Sequence, residues 1–328
     1  MFLRFIRKLT LLSVLIIIII YCSPIALKYY VNLEGPLLEE IHFEIDKNES
    51  LTSISGKLKE SGIIRSKILF LSYIKLKGYE KRIRFGEYLL PRRINLENLL
   101  ELFSSGKQIN YSITIPEGWS SWKIVEFLNS NKYLSGEVES LPVEGSLSPD
   151  TYFVAKGENR NKVIGRMKLR QEKILRKIWN DRDSDLPLNS PKDLLILASI
   201  IEKETGKSEE RRIIASVLIN RINKGMRLQV DPTVIYGLTK GKGKLGRSLI
   251  SKDLKTANDY NTYLLSGLPR GPICNPGKDS IIAASKPEKT NFLYFVADGE
   301  GGHLFSENLS EHNKNVKLWK GRLNYKFP

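Results

Sequence analysis

The longest run of apolar positions in the chain lies close to its N-terminus. Residues 9–27 contain no charged side chain, and Ile16 to Ile20 form an unbroken stretch of isoleucine. A helix of this length is roughly 28 Å long, which is close to the hydrocarbon thickness of a bilayer. The pattern therefore predicts a transmembrane helix over residues 9–27, preceded by a short tail of residues 1–8.

Basic residues flank the apolar run on its N-terminal side. Arg4, Arg7 and Lys8 precede it, and segments with such a positive flank keep that flank in the cytoplasm. We therefore expect a cytoplasmic N-terminus, a single pass through the plasma (inner) membrane, contact with the lipid bilayer through residues 9–27, and the rest of the chain on the extracytoplasmic side. The alternative is a cleaved signal peptide, but cleavage needs small residues, and residues 21–24 (Tyr-Cys-Ser-Pro) are a poor site.

Beyond residue 40 the pattern changes to short strands and amphipathic helices. Ile41 to Ile45 alternates apolar and polar residues, which predicts a strand, and Phe85 to Leu90 predicts a second one. Apolar residues at helical spacing predict further helices at Ser50–Lys59, Phe70–Lys77, Asn95–Phe103 and Asn159–Trp179. This mixture of separate strands and helices indicates an α+β fold.

Two segments share a strand–turn–helix pattern at an offset of 70 residues. The aligned positions are Phe43, Ile45, Ser50, Ile54, Leu58 and Ile64 with Ile113, Ile115, Ser120, Ile124, Leu128 and Leu134. The pattern is compatible with two copies of a small βα module of the kind that holds polymers. It is equally compatible with the ordinary appearance of any strand–helix unit, and the sequence leaves both interpretations open.

The most apolar predicted helix starts at residues 190–193 and runs through residues 194–205. Ser190 can cap it and Pro191 suits its first position. Apolar residues occupy almost its whole circumference, which predicts a buried helix, yet Glu202 and Glu204 fall on the apolar part of the helical wheel. A carboxyl in such surroundings has a raised pKa and can act as a general acid near neutral pH, unless it pairs with a nearby lysine or arginine. Periodicity does not choose between the two glutamates.

Loops rich in hydrogen-bonding side chains follow the next predicted helix, Glu209–Asn223. Residues 226–237 are predicted to be turn-rich, with a structural Asx-turn at Asp231 as the alternative to a functional role. Residues 267–277 contain three prolines and three glycines, which predicts a rigid loop. Such loops often line sites on a rigid scaffold. Phe292–Val296 is predicted to be a buried strand, with a turn after it.

Charge and composition narrow the functional classes. The 328 residues include 52 Lys+Arg and 36 Asp+Glu, a net charge of +16. This surplus suits a nucleic-acid binder or a protein beside anionic lipid or polymer, and the predicted anchor disfavours nucleic acid by placing the chain outside the cytoplasm. Two cysteines and three histidines exclude a disulfide framework and disfavour a clustered Cys/His metal site.

A series of motifs in the last two-thirds of the chain resembles the endolytic murein transglycosylases, the YceG-like family. The motifs run in order from about residue 111 to 320, and residues 146, 148, 258–259 and 270 depart from the usual family pattern. They are Glu144-Gly-x-Leu-x-Pro-Asp-Thr-Tyr152, Ala198-Ser-Ile-Ile-Glu-Lys-Glu-Thr205, Asn220-Arg221, residues 225–237, Tyr260-Asn-Thr-Tyr263, residues 267–277, residues 294–298, Gly302-His303 and His312-Asn313.

The resemblance implies an architecture and a reaction. It implies an anchor, a small LysM-like domain over residues 41–110 and a catalytic domain over residues 111–328. It implies cleavage of the MurNAc–GlcNAc β-1,4 bond within peptidoglycan strands, with release of 1,6-anhydroMurNAc ends. It assigns the general acid, which then acts as the base, to Glu202. It implies no metal and no cofactor, because a single carboxyl carries both proton transfers.

The resemblance also implies partners and further site residues. Peptidoglycan strands are the expected substrate, and cell-wall synthases of the elongation or division machinery are the expected protein partners, with a role in ending strand elongation. The expected substrate-binding residues are Gln229, Asp231, Thr233, Tyr236, Asn261, Tyr263 and Asn275. Secondary candidates are Glu204, Arg221, Glu144 and His303.

Two other functions fit parts of the sequence. A Cys/His enzyme would use Cys274 as a nucleophile with His303 as its base, although a lone cysteine is more often a small buried side chain. A membrane-anchored peptidoglycan-binding protein without catalytic activity would account for the repeat and for the basic charge.

Overall fold

The computed structural model describes residues 25–326, with side chains described up to residue 321. Most of the predicted transmembrane helix, residues 9–24, lies outside this range. Within the described range, no helix is both long enough and apolar enough to cross a membrane. The described chain divides into two compact units. The first comprises residues 25–111 with 155–157, and the second comprises residues 112–154 with 158–326.

The first unit has a strand–helix–helix–strand order followed by one more helix. Strands β1 and β2 pair antiparallel, with Phe43 opposite Tyr88. Its elements are α1 (residues 25–32), β1 (Ile41–Ile45), α2 (Leu51–Glu60), α3 (Lys67–Lys77), β2 (Gly86–Leu90) and α4 (Leu96–Ser105). The predicted strands and helices of this region are confirmed, with ends that differ by up to three residues.

Capping and aromatic packing explain why this small unit forms. Ser50 caps α2 by accepting a hydrogen bond from the Ser53 amide, which satisfies a backbone donor that has no partner within the helix. In the core, the Phe103 ring meets the Tyr88 ring edge-on at 4.9 Å and lies 5.9 Å from the Phe43 ring. Such aromatic contacts add to the hydrophobic stabilisation of the unit.

The second unit is mostly helical, with three small pairs of strands. β3 pairs with β5, β4 pairs parallel with β6, and β7 pairs antiparallel with β8. Its elements are β3 (Asn110–Thr114), α5 (Ser121–Ser130), β4 (Leu134–Ser135), β5 (Thr151–Ala155), β6 (Glu158–Asn159), α6 (Arg160–Asn180), α7 (Pro191–Glu204), α8 (Arg211–Asn223), α9 (Asp231–Thr239), α10 (Ser251–Leu254), α11 (Lys278–Ser285), β7 (Tyr294–Ala297), β8 (His303–Ser306) and α12 (Leu309–Lys326).

Helix α7 forms the centre of the second unit. Its residues from Leu194 to Ile201 are all buried, and α6, α8 and α11 pack around it. Ser190 caps the helix by accepting a hydrogen bond from the Asp193 amide at 3.2 Å, and Pro191 stands in the first turn, where no backbone donor is needed. The predicted buried helix is thus confirmed, and its C-terminus carries both candidate glutamates.

Two expectations about the second unit need correction. Residues 226–237 were expected to be a turn-rich loop, but Asp231–Thr239 forms helix α9. Pro232 is compatible with this because it lies in the first turn of the helix. The expected buried strand at residues 292–296 is β7, which begins at Tyr294 and is only half-buried, because it belongs to a two-stranded sheet in which β8 is its one partner among the described strands.

Candidate active site

Glu202 is half-buried in the last turn of α7 and lies among hydrogen-bond donors. Its Oε2 accepts one hydrogen bond from the Ser280 hydroxyl at 2.7 Å and another from the Gly277 amide at 3.1 Å. Both donors belong to the N-terminal end of α11. The side chain therefore caps α11 and holds it against α7.

Glu204 lies two residues further along α7 and has a different environment. Burial, with a contribution from the negative charge of Asp231, raises the pKa of Glu204 to about 7. The residue remains partly accessible to solvent. A carboxyl group that keeps its proton near neutral pH and still reaches the surface has the properties of a general acid.

Asp231 and Tyr263 lie beside Glu204. The Tyr263 hydroxyl donates a hydrogen bond to Asp231 Oδ1 at 2.6 Å. Burial raises the pKa of the Tyr263 hydroxyl, and the carboxyl groups of Asp231 and Glu204 raise it further. The phenol therefore stays protonated, and its hydrogen bond fixes the orientation of the exposed Asp231 carboxylate at the first residue of α9.

A buried arginine shapes the turn that leads to Asp231. The Arg221 guanidinium donates to the carbonyl oxygens of Arg227 and Leu228, at 3.1 and 2.9 Å, and to Gln229 Oε1 at 3.4 Å. Gln229 has φ of 54°, a left-handed conformation that costs a residue with a side chain roughly 1–2 kcal/mol. Such strain concentrates at functional sites. We call Glu204, Asp231, Tyr263, Arg221 and Gln229 the Glu204 cluster.

Three of the expected substrate-binding residues are fully buried. Thr233, Asn261 and Asn275 have no accessible surface. The Asn261 amide donates to the carbonyl oxygens of residues 254 and 256, and its Oδ1 accepts from the Tyr263 amide. The Thr233 hydroxyl donates to the Val230 carbonyl at 2.6 Å. In this structure their polar atoms support the loops that carry Asp231 and Tyr263, and their contact with substrate stays a prediction.

Asn275 belongs to a second polar network around Glu144. Its side-chain amide donates to Glu144 Oε1 at 3.1 Å, and its Oδ1 accepts from the Leu147 amide at 2.9 Å. Glu144 also accepts hydrogen bonds from the Ser121 amide and from the Tyr236 hydroxyl. Burial raises the pKa of Glu144, although these hydrogen bonds oppose the shift. The network joins α5, α9 and the rigid loop of residues 267–277.

Tyr236 forms part of an aromatic pair on the surface side of this network. Its ring lies 4.8 Å from the ring of Tyr260, and the Lys240 ammonium lies 5.2 Å from the centre of the Tyr260 ring. Tyr260 belongs to the Tyr260-Asn-Thr-Tyr263 motif but is not among the site residues that the resemblance implies. Exposed aromatic faces are suited to stacking on apolar ligand surfaces.

His303 has a structural connection to the end of α7. Its Nδ1 lies 2.7 Å from Glu210 Oε2, and its amide donates to Glu210 Oε1 at 2.9 Å. The Thr205 hydroxyl donates to the same Glu210 carboxylate at 3.1 Å. Burial opposes ionisation of Glu210, but the hydrogen bonds from His303 prevail and lower the pKa of Glu210. Through Glu210, the histidine thereby links the β7–β8 hairpin to Thr205, the residue that follows α7.

Glu117 is a site residue that no sequence pattern predicts, and its carboxyl group lies next to the Glu202 site. A Cβ added to Gly277 would stand 1.9 Å from Glu117 Oε1. Burial raises the pKa of Glu117, and the charge of Glu202 raises it further. The feature of the sequence that marks this place is the glycine after Glu117. Gly118 forms a turn with φ of 73°, a conformation that favours glycine.

Cys274 is unsuited to the role of a nucleophile. The side chain is 1% exposed, and its thiol donates a hydrogen bond to the Ser199 carbonyl oxygen at 3.3 Å. Burial raises the pKa of the thiol well above its usual value, with a smaller effect from Glu202. The reactive form of cysteine is the thiolate, so this environment opposes the Cys/His alternative.

Comparison with known protein families decides the relationship of the chain. A family model described as the YceG-like family matches residues 43–318. The chain belongs to the YceG-like family. Membership extends across most of both compact units and includes every residue of the Glu204 cluster.

Individual relatives within the YceG-like family agree with this. A protein of Bacillus subtilis (strain 168) named endolytic murein transglycosylase is 30% identical over 307 residues, which cover 84% of this chain and 83% of that protein. A protein of the same name from Streptococcus pneumoniae serotype 2 is 28% identical, over 83% of this chain and 57% of that protein.

A solved structure supports the fold. The crystal structure of a YceG-like protein from Listeria monocytogenes has 31% sequence identity to this chain and a TM-score of 0.51. The match covers 84% of this chain and 99% of that one. The mixed α+β fold predicted from the sequence is confirmed.

Proposed function

We propose that this protein is a membrane-anchored endolytic transglycosylase that cleaves the MurNAc–GlcNAc β-1,4 bond of peptidoglycan and leaves 1,6-anhydroMurNAc ends. Family membership and the names of the curated relatives support the reaction class. The single structural observation that carries the proposal is the Glu204 carboxyl, whose pKa of about 7 lets it exist in both protonation states at neutral pH.

The reaction needs two proton transfers, and a carboxyl group with this pKa can carry out both. In the first step, the protonated carboxyl of Glu204 gives its proton to the glycosidic oxygen as the bond from that oxygen to C1 of MurNAc breaks. In the second step, the resulting carboxylate removes the proton of the C6 hydroxyl, and O6 attacks C1 to close the anhydro ring. The carboxyl regains its proton, so no water and no second carboxylate nucleophile are consumed.

The negative charge of Asp231 favours both the reaction steps and the starting protonation state of Glu204. An oxocarbenium-like centre develops positive charge at C1 when the glycosidic bond breaks. The exposed Asp231 carboxylate, which the Tyr263 hydroxyl orients, would stabilise that charge electrostatically. The same negative charge favours the protonated form of Glu204 before the reaction.

The choice between the two glutamates rests on their surroundings. The family resemblance favoured Glu202, and that assignment stays a prediction. The local chemistry favours Glu204, because Oε2 of Glu202 is engaged by hydrogen bonds from Ser280 and Gly277, whereas burial and the charge of Asp231 raise the pKa of Glu204 to about 7. We therefore propose Glu204 as the acid and base and Glu202 as the residue that positions α11.

The decisive experiment compares two amide variants. Glu204→Gln should reduce release of anhydro-ended fragments by at least about 10²-fold, whereas Glu202→Gln should retain measurable activity. Glu209→Gln, at an exposed site, is the matched control. Fragments from digested peptidoglycan are to be identified by mass spectrometry.

Each outcome of this experiment has a distinct meaning. Loss of activity in Glu202→Gln with retention of activity in Glu204→Gln would identify Glu202 as the general acid and base. Hydrated reducing ends from the wild-type protein would indicate hydrolysis and overturn the anhydro mechanism. Binding of strands by the wild type without any product would support the non-enzymatic peptidoglycan-binding alternative.

The proposal extends to the N-terminal part of the chain. The charge-free run at residues 9–27 supports a membrane anchor with its N-terminus in the cytoplasm. The strand–helix–helix–strand order of the first unit supports a small LysM-like domain. The resemblance to the family supports a further proposal, a role in ending strand elongation beside the cell-wall synthases. Co-purification of synthases with the full-length protein after cross-linking tests it.

A further inference from the structure

A loop rich in lysine and glycine follows helix α9. We call residues 240–246 the lysine loop, in which Lys240, Lys242 and Lys244 alternate with glycines at 241 and 243. All three lysines are exposed. No ammonium group of the three lies within ion-pairing distance of a carboxylate in the described part of the chain. The loop thus presents concentrated positive charge without internal neutralisation.

The base of the lysine loop is fixed to the candidate site. The Ser120 hydroxyl donates to the Gly241 carbonyl oxygen at 2.6 Å, and the Lys240 amide donates to the Tyr236 carbonyl oxygen at 2.7 Å. A Cβ added to Gly241 would stand 2.8 Å from the Ser120 Cβ, so only glycine permits this approach. The backbone is therefore anchored, while the side chains of Lys242 and Lys244 are exposed and the Lys240 ammonium lies over the Tyr260 ring.

The position of the loop relative to the Glu204 cluster follows from helix geometry. Asp231 begins α9 and Thr239 ends it, so the loop lies about 12 Å from Asp231 along the axis at 1.5 Å per residue. Tyr236, which lies between them in the helix, packs its ring against Tyr260, and the Lys240 ammonium lies over the Tyr260 ring. A polymer chain held at Asp231 needs to extend only about 12 Å to bring its branches within reach of the lysine loop.

We infer that the lysine loop binds carboxylate groups of the peptides that branch from the MurNAc residues of the strand. This inference rests on the proposed function. In a strand that carries its peptides, the lactyl carboxyl of each substituted MurNAc is held in an amide bond to the peptide, so exposed ammonium groups gain most from the free carboxylates of the branches. Strands whose peptides carry free carboxylates would accordingly be preferred over the same strands with those carboxylates amidated, at the level of binding and not of the chemical step.

The test uses the full-length protein and two substrates, namely strands with their peptides and the same strands after the peptide carboxylates have been converted to amides. We call the preference for the first substrate over the second the peptide preference. The variant Lys240→Gln/Lys242→Gln/Lys244→Gln should raise KM on strands with free peptide carboxylates about tenfold, which corresponds to a two- to threefold effect per exposed charge contact. Its kcat should stay at the wild-type value. On amidated strands both constants should equal those of the wild type.

A control with the same change in net charge separates a local effect from a general one. Lys168→Gln/Lys173→Gln/Lys177→Gln removes three exposed lysines from α6 and should leave the peptide preference unchanged. The wild-type preference should also weaken when salt rises from about 0.05 to 0.5 M, because salt screens exposed charges.

The remaining outcomes overturn the inference. An equal rise in KM on both substrates would show that the loop contacts the sugars, and an unchanged KM would show that it has no role in binding. Tighter binding of a phosphate-bearing wall polymer, with no effect of the peptides, would assign the loop to another ligand. Absence of cleavage by the wild type on both substrates would instead contradict the proposed function.

Discussion

The Tyr263 hydroxyl donates a hydrogen bond to Asp231 Oδ1 at 2.6 Å, and this pair lies beside the Glu204 carboxyl. The groups next to Glu204 come from two elements, Asp231 at the start of α9 and Tyr263 in the loop after α10. Arg221 on α8 lies near Tyr263. The negative charge next to Glu204 is therefore held in place by a neutral donor, which links proton affinity to a defined geometry.

Replacement of Asp231 should change the pH dependence of cleavage. Asp231→Asn removes a charge that raises the pKa of Glu204, so the alkaline limb of the kcat/KM profile should move about 0.5–1 pH unit lower. Asp259→Asn, at an exposed carboxylate that pairs with Arg270, should leave the limb where it is. A profile of unchanged shape in Asp231→Asn would remove the proposed electrostatic role.

Replacement of Glu204 should change how stability depends on pH. Because the folded-state pKa of Glu204, about 7, lies above its ordinary value of 4.5, folding favours the protonated form. The corresponding stability is fully present below about pH 4.5 and is lost as pH rises through 7. Wild type should therefore lose on the order of 2 kcal/mol between pH 5 and pH 8 relative to Glu204→Gln, after allowance for partial solvent screening.

Denaturant unfolding at several pH values measures this difference. Glu209→Gln should follow the slope of the wild type, because its side chain is exposed. Parallel stability curves for wild type and Glu204→Gln would show that Glu204 has the same proton affinity in the folded and unfolded chains. That result would also remove the main argument for Glu204 over Glu202 as the acid.

Replacement of Cys274 should leave the reaction intact. The thiol is buried, protonated and bonded to the Ser199 carbonyl oxygen, so Cys274→Ser keeps a donor at this position and should cost no more than about 1–2 kcal/mol of stability. Thiol-specific alkylation of the native protein should be slow compared with the unfolded protein. Complete loss of cleavage in a folded Cys274→Ser variant would restore the Cys/His alternative.

Local patterns predicted much of the fold. Alternation identified β1 with its observed ends, Ile41 and Ile45, and the Ser190–Pro191 pair marked the start of α7. Helix α9 was missed because Gln229, Asp231 and Pro232 are typical turn residues. Tertiary contacts determine where this helix begins. The Val230 amide, just before α9, donates to Thr262 Oγ1, 32 positions away, at 2.9 Å. No local pattern contains such a contact.

The site was predictable only in part for a similar reason. Helical periodicity placed Glu202 and Glu204 on the apolar part of one wheel, but their environments depend on which distant segments pack beside each carboxyl. Ser280 and Gly277 approach Glu202, whereas Asp231 approaches Glu204. Burial of Asn275 likewise depends on Trp119 and Glu144, which lie more than a hundred positions earlier in the chain.

Replacement of Gly145 should destabilise the second unit from within the Glu144 motif. Gly145 has φ of 80°, and an added Cβ would stand 2.8 Å from two ring carbons of Pro272 and 3.1 Å from Leu195 Cδ2. The proline ring and the buried leucine cannot move aside cheaply, so Gly145→Ala combines backbone strain with overpacking and should cost about 3 kcal/mol.

Thermal unfolding with a glycine control tests this estimate. Gly165→Ala lies within α6, where an added Cβ meets nothing within 4 Å, and should stabilise the protein by about 0.5–1 kcal/mol because alanine favours helix. A loss of about 3 kcal/mol lowers the melting temperature by roughly 6–12 °C for a unit of this size. If Gly145→Ala melted with the wild type, the close contact with Pro272 would not exist in solution.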